Sequence, residues 1–385
     1  MIVTGQQPAV GGGPLYTLVK VAHAVALGRA RQEAVLFWCA SEDHDLGEAG
    51  HADLVRRDGR ITRLNVDLGG GRAALRHRAA ATWWTVVRPA LAVELGPGSG
   101  SAFLDAQAPH GDEGMGAWLC RLLGVLFPGL ETVEAHSLRP RWPKALELAL
   151  TRWPKSELEQ VRQQLLAGGV DDAFGALDEA PLFRDLLSGR SPLITAEAMM
   201  LLPEHLEELS PGAALPCSTY VGGPGELAYH RFLTPLYAAL GVTAPELLPR
   251  CSLTLVPSWI QREAERREMS VAALTTAQEP LPVADARLAD FDRLLAGLGA
   301  EPRLAGSLRR LQHERRHLAI RLARLARQGQ IPLGVVQSWL SPRGGRQERT
   351  MSLIQALWEH GPGLAPRLVA EAASCAPGEH RWVAL

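Results

Sequence analysis

The chain is nearly empty of lysine. Lys20, Lys144 and Lys155 are all it carries, and arginine supplies almost all of its positive charge. Its 40 basic and 41 acidic side chains leave a formal net charge of −1. That balance gives no general attraction to nucleic acid or to an anionic membrane. No apolar run is long enough to span a bilayer, and the first residues lack the pattern of a signal peptide. A cytoplasmic protein with no membrane partner is expected. Cysteine is scarce: Cys39, Cys120, Cys217, Cys251 and Cys375 are odd in number and form no CxxC. This argues against a disulfide framework or a zinc knuckle and for buried, apolar thiols. The GK[ST] end of a P-loop and the GxGxxG spacing are both absent, so neither nucleotide fingerprint applies.

What is present starts at once. Met1 to Thr4 reads as a strand, and "GQQPAVGGG" (Gly5–Gly13) as a loop. Pro14 suits a first helical turn, after which Leu15, Leu18, Val19, Ala22, Val25 and Ala26 recur at helical spacing. "AVLFWCA" (Ala34–Ala40) is a continuous apolar run, as in a strand buried on both faces. Strand, loop, helix and strand make a βαβ unit with a parallel sheet. "ITRLNVDL" (Ile61–Leu68) alternates like a further strand, and Trp83 to Leu187 reads as mostly amphipathic helix. "LPCSTYVGGPGELAYHRFLTPLYAALG" (Leu215–Gly241) repeats the strand, glycine loop and helix. Leu288, Phe291, Leu294, Leu295 and Leu298, then Leu308, Leu311, Leu318, Leu322 and Leu325, line two helices, with Arg315 at an otherwise apolar position. They predict an antiparallel, coiled-coil-like arm. The fold expected is therefore α/β. Residues 1–284 form a core with helical connecting insertions at about 83–190, residues 285–330 the arm, and residues 331–385 a mostly helical return.

Four places could carry chemistry. Gly11, Gly12 and Gly13 precede a helix whose free N–H groups and dipole favour an anion. Thr4, Gln6 and Gln7 add neutral donors, while Lys20 lies too far along the helix for a Walker-type contact. "SEDHDLGEAGH" (Ser41–His51) follows the buried strand and crowds Glu42, Asp43, His44, Asp45, Glu48 and His51 at an edge where open α/β sheets bind ligands. These groups suit acid–base work or a substrate ammonium; no metal-ligand spacing matches. "YVGGPGELAYH" brings Gly222, Gly223 and Gly225 with Glu226, Tyr229 and His230. "RGGRQERT" offers Arg343, Arg346 and Arg349 to an anion, with a solvated basic loop as the default. Trp38, Trp83, Trp84 and Trp118 fall in apolar-periodic segments and read as core.

In that order "TGQQ…GGPLYTLVK", "FWCASEDHD" with His51, "YVGGPGELAYH" and "RQERT" resemble the BshC family of bacillithiol biosynthesis, from Val3 to about Gly363. The resemblance implies a Rossmann-like core, a coiled-coil arm that promotes homodimers, and addition of cysteine to glucosaminyl-malate. It also implies nucleotide binding. Pocket residues carried over are Thr4, Gly5, Gln6, Gln7, Gly12, Gly13 and Tyr16; Asp43, His44, Asp45 and His51; and Gly222, Gly223, Gly225, Glu226, Tyr229 and His230. Two departures stand out. The family carries a helical segment ahead of its TGQQ strand, so either an upstream extension or a reduced branch is expected, and the arm is short.

Joining a carboxyl to an amine needs activation, which ATP with Mg²⁺ is expected to supply at the Gly11–Pro14 helix start. Asp43 or Asp45 is expected to hold an ammonium and His44 to take the proton. The alternatives are a non-catalytic nucleotide- or metabolite-binding protein on this scaffold, and an ATP-dependent amide ligase for a related amino sugar.

Overall fold

The computed structural model describes residues 1–69, 71, 73–138, 154–170, 182–186, 189–194, 217–240, 243–278, 288–298, 305–326 and 330–385. The strands in chain order are β1 (Ile2–Gln6), β2 (Val35–Cys39), β3 (His51–Val55), β4 (Ile61–Asn65), β5 (Glu131–Glu134), β6 (Leu182–Leu186), β7 (Gly189–Ile194), β8 (Thr219–Gly222), β9 (Glu246–Pro249), β10 (Ser252–Val256) and β11 (His380–Ala384). The chain divides into two compact units, residues 1–255 with 341–383, and residues 256–340 with 384–385.

The first unit is built on a five-stranded sheet of order β5-β2-β1-β8-β9. All four neighbouring pairs are parallel. β1 and β2 are almost wholly buried because helices must cover both faces of a parallel sheet. The crossover helix Tyr16–Arg31 buries Leu18, Val19, Val21, Ala22 and Val25 and ends on Gln32, which adopts a left-handed φ of 59°. From β1 the chain moves outward to β2 and β5, then returns to lay β8 and β9 on the other side. The order reverses between β1 and β8, and such switch points open a crevice beyond the strands' carboxyl ends. Thr4 ties the two strands by donating to the Val221 carbonyl at 2.8 Å.

One stretch departs from expectation. The Trp83–Leu187 stretch does hold helices, at Ala80–Leu95, Ser101–Ala106, Met115–Leu126 and Lys155–Ala167, but it also contributes β5 to the central sheet and β6 to a hairpin with β7. Four residues at a sheet edge are too few for any periodicity to register. β4 pairs antiparallel with β3, so the acidic turn runs straight into a hairpin. Trp83 and Trp118 are fully buried and meet edge to face, with centroids 4.8 Å apart. All five cysteines are buried and free.

The tail closes this unit. Helix Leu364–Ala373 packs along Tyr16–Arg31. The Gln355 amide bonds both the N–H and the C=O of Val55, and Gln347 does the same for Leu255. Glu348, fully buried, accepts from Leu253 N–H at 2.9 Å and from Arg250 at 2.7 Å.

The second unit holds helices Ser258–Arg266, Val271–Leu274, Ala289–Leu298, Ala305–Ala326 and Leu333–Leu340. Its limits fall at 255/256 and 340/341, wider than the arm drawn from sequence at 285–330. Arg315 makes a two-toothed ion pair with Asp292, each contact 2.8 Å, which accounts for a cation on an apolar face. Leu294 and Leu318 are 55% and 42% exposed. The GLGAEP break and both ends of the arm lie partly outside the described residues.

Candidate functional site

The carboxyl ends of β1, β2, β8 and β9 surround a crevice of about 270 Å³. Gln6 and Gln7 enter from β1, Ala40 and Asp43 from β2, Gly223 to Glu226 from β8, Arg250 from β9, and Tyr16 and Lys20 from the crossover helix; Glu48 and Arg349 complete it. A second cavity of about 200 Å³ adjoins it, lined by Gly13, Pro14, His51, Asp53 and Ser352 among others. Tyr16, Glu48 and Arg349 line both, so they form the wall between two compartments.

Lys20 is the centre of the crevice floor. Its ammonium donates to the Gly5 carbonyl at 2.7 Å, Gln6 Oε1 at 2.7 Å and Glu226 Oε1 at 2.6 Å, and the residue is 2% exposed. Three acceptors take its three protons, so it is a cation and not a nucleophile. Glu226 accepts in turn from Tyr220 OH at 3.2 Å and from Gly223 N–H at 2.7 Å, the latter closing the start of helix Pro224–Phe232. Tyr16 takes a hydrogen bond from Gln6 Nε2 at 3.1 Å. Burial, then Glu48 and Glu226, push its pKa up to about 12, so it stays a neutral donor. Arg250, paired with buried Glu348, lies 5.3 Å from the Tyr16 ring centroid.

The acidic turn divides. Asp43 lines the crevice and accepts from the backbone of His44 and Asp45. Asp45 caps the short helix Leu46–Ala49 by accepting from Glu48 N–H at 3.1 Å. His44 Nδ1 stands 3.7 Å from Asp43 Oδ1, and neither His44 nor Asp45 lines either cavity. His51 faces the second cavity with Nδ1 3.1 Å from the Gly47 carbonyl. Glu48 projects between the compartments, and its pKa is raised by burial, by Asp45 and by Asp43.

The glycines divide too. Gly11 and Gly12 have φ of +68° and +77°, and a Cβ there would lie 3.0 Å from Ile354 Cγ2 and 3.1 Å from Leu353 Cδ2. Both are packed into the core beneath the tail, and their sharp turn is what the glycines serve. The first helical N–H groups are spoken for as well: Leu15 N–H donates to the Met351 carbonyl at 2.8 Å. Gly223 and Gly225 do line the crevice, and a Cβ on Gly225 would meet nothing. Thr4 and Gly5 are strand-packing residues, with Gly5 against Trp38. Gly222, Tyr229 and His230 do not line the cavities; His230 is buried with its ring 4.2 Å from that of Tyr220, and burial lowers its pKa to about 4.

Of the three crevice cations, the sequence offers Arg349 to an anion but gives no site role to Lys20 or Arg250. Lys20 was set aside as too distant, yet helical side chains point back toward the N-terminus, and the helix begins only at Tyr16. Arg250 stands one residue past β9, the position at which its signal was available. Arg349 sits in the basic motif offered to an anion, with a solvated loop as its default; it lines the crevice and makes no ion pair or side-chain hydrogen bond among the described residues. Its neighbour Arg343 is pinned to Asp53 at 3.0 Å with a left-handed φ of 56°.

A parallel sheet with a polar, two-chambered crevice at its switch point defines a Rossmann-like small-molecule-binding protein. Residues 1–86 match the family model described as "Bacillithiol biosynthesis BshC, N-terminal Rossmann-like domain". Proteins named "Putative cysteine ligase BshC" align over much of the chain. That of Koribacter versatilis is 27% identical over 99% of this chain and 83% of its own length. That of Thermus thermophilus is 28% identical over 96% and 86%, and that of Exiguobacterium sibiricum 24% over 74% and 62%. The chain is thus similar to these proteins along most of its length, and its first 86 residues are similar to that family's Rossmann-like domain.

Proposed function

We propose that the protein is a cytoplasmic amide-forming ligase that joins the carboxyl of cysteine to the amine of glucosaminyl-malate, completing bacillithiol. The observation that carries this is the pair of adjoining compartments sharing Tyr16, Glu48 and Arg349. A condensation needs two reactants held face to face, and a shared wall lets one meet the other. Among the described residues no helix is long and apolar enough to cross a membrane.

The residues fit a nucleotide phosphate at Arg349 and beside Gly225, not at the core-packed Gly11 and Gly12. Bound there, ATP supplies the activation that a free carboxylate lacks. No three His, Cys, Asp or Glu side chains gather as a metal cage among the described residues, so Mg²⁺ would arrive with the nucleotide. Asp43 holds a substrate ammonium at the mouth of β2. Tyr16, neutral and recessed, donates a hydrogen bond to a developing oxyanion. Pairing of two copies through the arm belongs to the same reading, since Leu294 and Leu318 are open to solvent.

The test is incubation of the purified chain with cysteine, glucosaminyl-malate and ATP–Mg²⁺, followed by mass spectrometry. A bacillithiol mass is expected. Its absence from folded protein would leave a metabolite-binding protein on this scaffold, and a product from another amino sugar would reassign the acceptor.

A further inference from the structure

We infer that Glu48, rather than His44, is the group that receives the acceptor's ammonium and takes its proton in the ligation, an inference that rests on the ligase reading above. Three observations support it. Glu48 lines both compartments, so its carboxylate stands where an amine from one meets a carboxyl from the other. His44 lines neither, and Asp45 spends its carboxylate on a helix cap. The remaining acids of the crevice are committed or off the shared wall: Glu226 binds Lys20 and Gly223 N–H, and Asp43 holds the turn and reaches one compartment only.

The surroundings suit the role. Asp43 and Asp45 face Glu48 from its own turn, His51 from β3, Tyr16 and Lys20 from the crossover helix, and Arg349 from the tail; Glu226 and Arg250 stand across the crevice. Burial and the two aspartates raise its proton affinity, with Gln7 and Lys20 opposing. A carboxylate that holds a proton more firmly is a better base for an ammonium. The step balances. The acceptor arrives as R–NH3⁺ and one proton passes to Glu48. The freed lone pair forms the C–N bond at the activated cysteine carboxyl. The C–O bond to the nucleotide-derived leaving group breaks with its electron pair, and the second surplus proton goes with that leaving group.

The experiment compares the wild type with Glu48→Gln, Glu48→Asp and His44→Ala. Product formation is measured across pH, and calorimetry measures binding of glucosaminyl-malate and its N-acetylated form. Glu48 is solvent-accessible, so its variants are expected to fold. In Glu48→Gln, kcat is expected to fall by about 10²–10⁴-fold, with the cysteine KM within about threefold of wild type. Its acidic limb of the pH profile should vanish, and so should the preference for the free amine over the acetylated form. Glu48→Asp should recover part of the turnover, and His44→Ala should keep the limb. If Glu48→Gln turns over like wild type, the inference is overturned and the ligase reading stands. If the wild type makes no product, the ligase reading fails, and binding decides the rest. Loss of the amine preference in Glu48→Gln supports the ammonium site; its retention overturns it.

Discussion

The Lys20 ammonium lies 2.6 Å from the Glu226 carboxylate, across the parting of β1 and β8. One ion pair thus joins the crossover helix, the end of the first strand and the start of the helix after the second half of the sheet. Lys20→Met leaves Glu226 unpaired but still 30% exposed, so the loss should be below that of a wholly buried pair, about 2–3 kcal/mol. Urea unfolding measures it. Adding Glu226→Gln should return part of the loss; no recovery would mean that the lysine matters for its carbonyl bonds alone.

The two glycine loops should respond oppositely. Gly11→Ala forces a Cβ at positive φ to within 3.0 Å of Ile354 Cγ2, a loss of about 1–3 kcal/mol. Gly225→Ala meets open space inside a helix, so it should leave stability level or up to about 1 kcal/mol higher. Because Gly225 lines the crevice, its variant should lose nucleotide affinity while its Tm holds. Thermal melts beside nucleotide titrations separate the two.

Arg349→Gln removes the crevice cation with no ion pair among the described residues. Tm should not move, and the Kd for ATP should rise by about 10–100-fold, as for loss of a charge-assisted hydrogen bond. Arg349→Lys should recover the charge but only part of the affinity. Unchanged ATP binding in Arg349→Gln would move the phosphates elsewhere.

Stability should fall in mild acid. Burial lowers the pKa of His23, His230 and His360 to about 4, from an ordinary value of 6.5. Between those values the unfolded chain binds more protons than the folded one, so stability rises with pH through this window and drains away as pH falls from about 6.5 toward 4. Each histidine contributes at most roughly 3 kcal/mol to the drop. Glu359, whose pKa burial raises to about 7, opposes one of the three across the same window; urea midpoints from pH 7 to pH 4.5 measure the net slope, and His230→Phe should flatten it. An unaltered slope would assign the acid sensitivity to carboxylates.

The βαβ opening was legible because Val35 to Cys39 is unbroken apolar sequence and Tyr16 to Arg31 keeps a helical period. The second glycine turn was legible for the same reason, and Asp43 because charged residues after a buried strand stand at a ligand-binding edge. The cations were harder to see. Lys20 reads locally as a helix residue, and only the three-dimensional approach of Gly5 and Glu226 turns it inward. Arg349 depends on Gln347 and Glu348 gripping β10 from nearly a hundred residues away. Gly11 and Gly12 look like a phosphate cradle in sequence because a turn packed under Ile354 requires the same absent Cβ.

Helix Tyr16–Arg31 is made more than three hundred residues ahead of helix Leu364–Ala373, which packs along it. As the chain leaves the ribosome, the apolar flank of the earlier helix must wait through all of those residues before its cover exists. Arg349 is delivered to the crevice by the same closing segment. The pairing of β1 with β2 can therefore form before the site is complete, and a chain ended ahead of that segment would display bare helix and an open crevice.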